Sequence, residues 1–217
     1  MLPRRLAQLF AGLILYGLSL AVMYRAAVGL DPWDVFHQGA ADRIGWSFGT
    51  VTIATGVVVL LLWIPLRERP GVGTVANVVV VGLAADAGLA LMPELHDLAL
   101  RIPVFAAGLV LNGVAGGAYI GARLGPGPRD GLMTGLARRT GGRIGPIRTG
   151  IELTVLAGGW LLGGDVGPGT VVYAVTIGPL VAFFLPLMTV PETPQGGAPP
   201  PPGSGPAREP APTAVPS

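Results

Sequence analysis

The chain has 217 residues, 51% of them hydrophobic and only 12% charged, with a formal charge of +2 carried on arginine because lysine is absent. A soluble domain averages about 25% charged residues, so this composition cannot cover a water-facing surface and points to an α-helical protein that crosses a membrane several times. The absence of cysteine excludes disulfides, thiolate catalysis and Cys-ligated metals.

Residues 1–5 form a short basic lead, and residues 6–23 are the first apolar run, long enough to cross a bilayer core of about 30 Å. Polarity then rises. Asp31 precedes Pro32, an acid ahead of a proline at the first helical position, which predicts a short helix over residues 32–43. That helix is too short and polar to span, and is expected to lie in the interface or re-enter the membrane. Further spans are predicted over residues 50–66 and 71–92, followed by an acidic external loop at 93–101. The fourth span, residues 102–121, carries Gly113, Gly117 and Gly121 at a four-residue spacing that admits a second helix at close range. A second short helix is expected over 128–140, and the last two spans over 145–162 and 168–188. Residues 191–217 are rich in Pro, Gly, Ala and Ser, a composition that cannot bury a core and reads as disordered.

The segment Gly125-Pro126-Gly127-Pro128-Arg129-Asp130 has an earlier copy in Gly29-Leu30-Asp31-Pro32-Trp33-Asp34, 96 positions before it. The register continues without a gap. Ala11–Gly17 overlies Ala107–Gly113, and Gly71-Val72-Gly73-Thr74-Val75 overlies Gly167-Pro168-Gly169-Thr170-Val171. The chain is therefore an internal duplication, 1–92 and 102–190. Its recurrence also argues that the first apolar run is a retained span and no cleaved signal peptide.

Three spans per copy is an odd number, so the second copy is expected to enter the membrane inverted. The charges agree. Between residues 27 and 47, Asp31, Asp34 and Asp42 against Arg43 give −2. Between residues 122 and 148, six arginines against Asp130 give +5. The positive-inside rule then puts both termini in the cytoplasm. The arginines so used lie in short loops between apolar runs, which argues against nucleic acid as a partner.

Candidate binding residues follow from the paired motifs and the polar groups within spans. Two helix N-termini carry partial positive charge and free N–H groups suited to an anion. Gly127, Arg129 and Asp130 of the second motif and Asp34 of the first are the candidates there, with Arg129 as a bidentate anion contact. Asp34 and Asp130 also fit the plainer role of acids stabilising a helix start. Asp86 inside the third span reads as a coupling acid or as a side chain snorkelling to the interface. Glu152 lies at i, i+4 from Arg148, the spacing of a structural ion pair. Asn77 and Asn112 read as interhelical hydrogen-bond formers or as pathway-lining groups. His37 and His96 have no metal-ligand spacing, so neither metal nor cofactor is expected.

The second motif, with Arg148, Glu152, Leu162-Gly163-Gly164, Gly167–Val171 and Gly178-Pro179, resembles the YczE branch of the YczE/YyaS/YitT bacterial membrane proteins. The resemblance covers residues 6–188 and implies a multi-span protein of the bacterial plasma membrane, without supplying a mechanism. The expected function is transport or export of a small solute, an anionic one if Arg129 receives it, with membrane lipids around the bundle. The competing expectation is a non-transporting accessory that docks another protein. Homo-oligomerisation is compatible with either. No catalytic constellation occurs within the spans, so an enzyme is not expected.

Overall fold

In the computed structural model, which describes residues 2–190, those residues form eight helices and no strand. They are α1 (Leu2–Ala26), α2 (Pro32–Ile44), α3 (Phe48–Leu66), α4 (Val72–Leu91), α5 (Leu98–Gly121), α6 (Pro128–Thr140), α7 (Ile144–Leu162) and α8 (Pro168–Met188). The Pro-rich segment expected to be disordered lies outside the described residues. The two largest departures from the sequence reading are at helix starts. The basic lead belongs to α1, and α5 starts four residues early, where Asp97 caps it by accepting from Ala99 N at 2.9 Å.

Five helices, α1, α3, α4, α5 and α8, are long and apolar enough to cross a membrane. The expected sixth, α7, has 19 residues but is not among them. Arg148, Glu152 and several Gly and Thr residues dilute its apolar character. The short helices α2 and α6 have 13 residues each, or roughly 20 Å at 1.5 Å per residue. That is too short to span.

The 96-residue register reappears in the backbone. Left-handed residues fall in matched pairs: Ala27 and Arg123 (φ 47° and 54°), Gly29 and Gly125 (139° and 128°), Gly45 and Gly141 (71° and 68°), Arg67 and Gly163 (57° and 101°). Packing is paired likewise. Helix α1 packs on α4 as α5 packs on α8, while α2 packs on α7 as α6 packs on α3, and α1 meets α5 at the centre. The glycine stripe of α5 admits α8: a Cβ on Gly113, Gly117 or Gly121 would come within 2.7, 3.0 or 2.6 Å of Leu180, Phe184 or Met188.

Each half also completes the other. Gly73 N, at the start of α4, donates to Leu124 O in the α5–α6 connection at 2.8 Å. Gly169 N, at the start of α8, donates to Val28 O in the α1–α2 connection at 3.0 Å. Gly29 is required at this junction, since its φ is +139° and a Cβ there would lie 2.6 Å from Thr170 N.

One pair of seams departs from the pairing. Gly49 of α3 and Gly82 of α4 press together, so that a Cβ on either would strike the other's carbonyl. At the equivalent positions on α7 and α8, Gly145 and Gly178 have nothing within 4 Å of an added Cβ. The closed α3–α4 seam is stapled by Asp86, which accepts from Ser47 Oγ at 2.5 Å and from Gly49 N at 2.7 Å. The positions 96 further on hold Ala182 and Arg143, which cannot form that staple.

Candidate functional site: a cavity where the two motifs meet

Pro32 and Pro128 start α2 and α6 in the same way, because a proline at the first helical position forfeits no hydrogen bond. The helix starts lie side by side at the centre of the bundle. Asp31 caps α2, its Oδ1 accepting from Asp34 N at 2.8 Å. Arg129, from the start of α6, reaches across. Its Nη1 donates to Asp31 Oδ2 at 3.0 Å, its Nη2 lies 3.6 Å from Asp34 Oδ1, and its guanidinium carbon sits 5.0 Å from the centre of the Trp33 ring. The two copies of the motif are thus joined by a charged cluster. Asp34 is fully buried, and its Oδ1 also faces His37 Nδ1 at 3.2 Å, which in turn lies 3.3 Å from Thr52 Oγ1. Burial pushes the Asp34 carboxyl up to about 6, against the opposing pull of Arg129. Burial, then the nearby Arg129 charge, drives the His37 imidazole down to about 3, so it is neutral at pH 7.

A cavity of about 440 Å³ opens beside this cluster, within the usual size of small-ligand sites. Tyr16, Trp33, Tyr119 and Tyr173 supply aromatic walls, and Asp31, Arg129 and Asp130 supply charge. A polar chain underlies it: Tyr173 Oη donates to Asn112 Oδ1 at 3.1 Å, and Asn112 Nδ2 donates to Ser19 Oγ at 2.8 Å.

The sequence-derived candidates divide among these places. Gly127, Arg129, Asp130, Asn77, Asn112 and Glu152 all line the cavity, and Asp34 lies directly behind it. Asp86 does not; it forms the α3–α4 staple. Asn112 ties three helices together, and Glu152 pairs with Arg148 at 3.0 Å. Arg129, read from the sequence as an anion contact, pairs in this structure with the carboxylates of Asp31 and Asp34. Sequence reasoning misses Asp31 as a partner, along with His37 and the tyrosines. Asp31 reads as a cap, which it is, and nothing local reports a contact 98 positions away. The repeat register holds a signal for the tyrosines, since Tyr16 and Asn112, and likewise Asn77 and Tyr173, occupy equivalent positions with their residue types exchanged. Among the described residues no group of His, Asp and Glu is placed to hold a metal ion.

Comparison with known proteins agrees with a membrane bundle. Residues 3–186 match a family described as "Family of unknown function (DUF6198)". The chain is 36% identical over 180 residues to the "Uncharacterized membrane protein YczE" of Bacillus subtilis (strain 168), covering 82% of this chain and 83% of that one. It is 36% identical over 177 residues to an "Uncharacterized protein" of Haemophilus influenzae, covering 82% and 81%. It is 24% identical over 184 residues to the "Uncharacterized protein YyaS" of B. subtilis, covering 82% and 90%. No solved structure matches the chain significantly. With five helices able to span and a family match along nearly all of the helical region, the chain is a multi-pass membrane protein belonging to the DUF6198 family of YczE-like proteins.

Proposed function

We propose that the protein transports a small solute through the central cavity, alternating access between the two faces of a bacterial plasma membrane. The observation that carries this reading is the unequal pair of seams around one cavity. The α3–α4 seam is closed by Gly49 against Gly82 and stapled by Asp86, whereas the equivalent α7–α8 seam is apart at Gly145 and Gly178. Two diverged repeats of one unit can exchange open and closed seams, and such exchange around a fixed site is how inverted-repeat transporters work. In this reading α7 crosses the membrane as the counterpart of α3, giving six spans in two inverted halves, with α2 and α6 re-entering from opposite faces. The arginine-rich connections on either side of α6 then face the cytoplasm with both termini.

Two measurements test it. Reporter fusions after Arg69 and Arg139 are expected to read cytoplasmic and one after Asp97 external; equal readings at positions 42 and 138 would remove the inversion. Purified protein in proteoliposomes is expected to give saturable flux of a solute drawn from a cell extract. A folded, inserted protein that moves nothing would return the function to a non-transporting accessory.

A further inference from the structure

The repeat predicts a contact that the chain does not make. Arg129 pairs with Asp31 and Asp34 of the other copy. Shifted by 96 positions, the reciprocal contact would run from residue 33 to residues 127 and 130. Position 33 holds Trp33 and position 127 holds Gly127, so Asp130 alone keeps its carboxylate, with no arginine opposite. Asp130 is exposed to the cavity and has no ion pair among the described residues; its carboxylate accepts from the Gly127 backbone N–H and, at 3.4 Å, from Tyr119 Oη, while the charges of Arg148 and Arg129 act on it from beyond contact. The other arginine lining the cavity, Arg148, is held by Glu152 at 3.0 Å.

Charge around the cavity follows from these pairings. Asp31, Asp34, Asp130 and Glu152 stand against Arg129 and Arg148, a net of −2. An uncompensated negative charge inside an apolar bundle is costly, and a cation in the cavity relieves it. A second feature independently asks for a ligand. Trp33 is only 6% exposed and lines the same cavity, yet its indole N–H has no hydrogen-bond partner among the described residues. A buried indole N–H normally finds an acceptor. The aromatic rings around it suit an organic cation better than a hydrated metal ion.

We infer that the cavity binds a small organic cation, an ammonium or guanidinium compound bearing a hydrogen-bond acceptor, with its charge on Asp130 where the repeat would put an arginine. This rests on the transport reading only for its physiological meaning; the site itself is a matter of binding. The matched probes are tyramine and 4-hydroxyphenylacetate, which share a hydroxyphenyl ring and differ in the sign of their charge. Calorimetric titration of the full chain in neutral detergent is expected to show saturable binding of tyramine and none of 4-hydroxyphenylacetate. Asp130→Asn is expected to weaken tyramine binding at least tenfold without lowering the melting temperature. Trp33→Arg, which installs the reciprocal arginine, is expected to abolish binding in a folded protein. Should Trp33→Arg fail to fold, Asp130→Asn decides alone. The inference is overturned if tyramine does not bind, if the carboxylate probe binds as tightly, or if Asp130→Asn leaves tyramine affinity unchanged. The titration needs no gradient, so its failure is distinct from failure of flux in proteoliposomes.

Discussion

Arg129 shows how one position can carry the meaning of a whole repeat. A guanidinium forked between two carboxylates is worth little against an apolar replacement of the same shape, yet removing one partner of a buried cluster is expensive. Asp34 has no exposure and would be left without its cation. Arg129→Gln is therefore expected to cost about 3 kcal/mol of stability, the lower end of the range for breaking such a pair. Arg129→Lys should recover only part of this, since an ammonium does not bridge two carboxylates as a planar fork does. Adding Asp31→Asn and Asp34→Asn to Arg129→Gln should recover most of the loss, because no charge then lacks a partner. Denaturant unfolding in micelles reads all three. If Arg129→Gln unfolds like wild type, the cluster does not hold the motifs together. The difference between Arg129 and Trp33 is visible in the sequence alone, and both residues line the central cavity. The identity of the anion is not visible, because the contact bridges the two copies and no local pattern records it.

Among helices, what was legible followed from hydropathy and capping. Five long apolar helices and two short ones opening on Pro32 and Pro128 follow from composition and helix-start chemistry, which act within a few residues. Less legible was α7, whose length suits a span while Arg148 and Glu152 thin its apolar face. How α7 sits beside α8 could not be read at all, since Gly145 and Gly178 look the same in sequence whether a seam is shut or parted. Substitution separates the two seams. Gly49→Ala puts a Cβ against Gly82 O at 2.0 Å, where backbone must move, and overpacking of this kind costs about 1–3 kcal/mol. Gly145→Ala and Gly178→Ala meet open space and are expected to be neutral, or slightly stabilising through a less flexible unfolded chain. Under the proposed transport function, flux should respond in the opposite order to stability: a bulky Gly178→Val, harmless to unfolding, is expected to slow it by obstructing closure. Wild-type flux in Gly178→Val would mean that this seam never shuts.

Across the whole molecule, the reciprocal hydrogen bonds from Gly73 to Leu124 and from Gly169 to Val28 have a bearing on how the protein is made. When a ribosome has delivered α1 through α4, the start of α4 has not yet met the connection that receives it, which lies about fifty residues downstream in the nascent chain. Helix α1 likewise has no α5 to pack on, although that central pairing buries Leu13, Leu20 and Leu109. The first four helices can enter the bilayer one by one and α4 can pack on α1 and α3, but the α5-facing side of α1 and the start of α4 stay uncovered until the second copy arrives. Residues 1–94 and 95–217 made from separate genes are therefore expected to assemble when co-expressed, since the break falls in the connection between Leu91 and Leu98 and spares every interlocking contact. Either piece produced alone should be cleared by membrane proteases, and a pulse-chase comparison of the two situations measures it. A half that persisted unaided would be a self-sufficient unit. For a duplicated chain whose copies are wound into each other, translation that stops midway leaves nothing worth keeping.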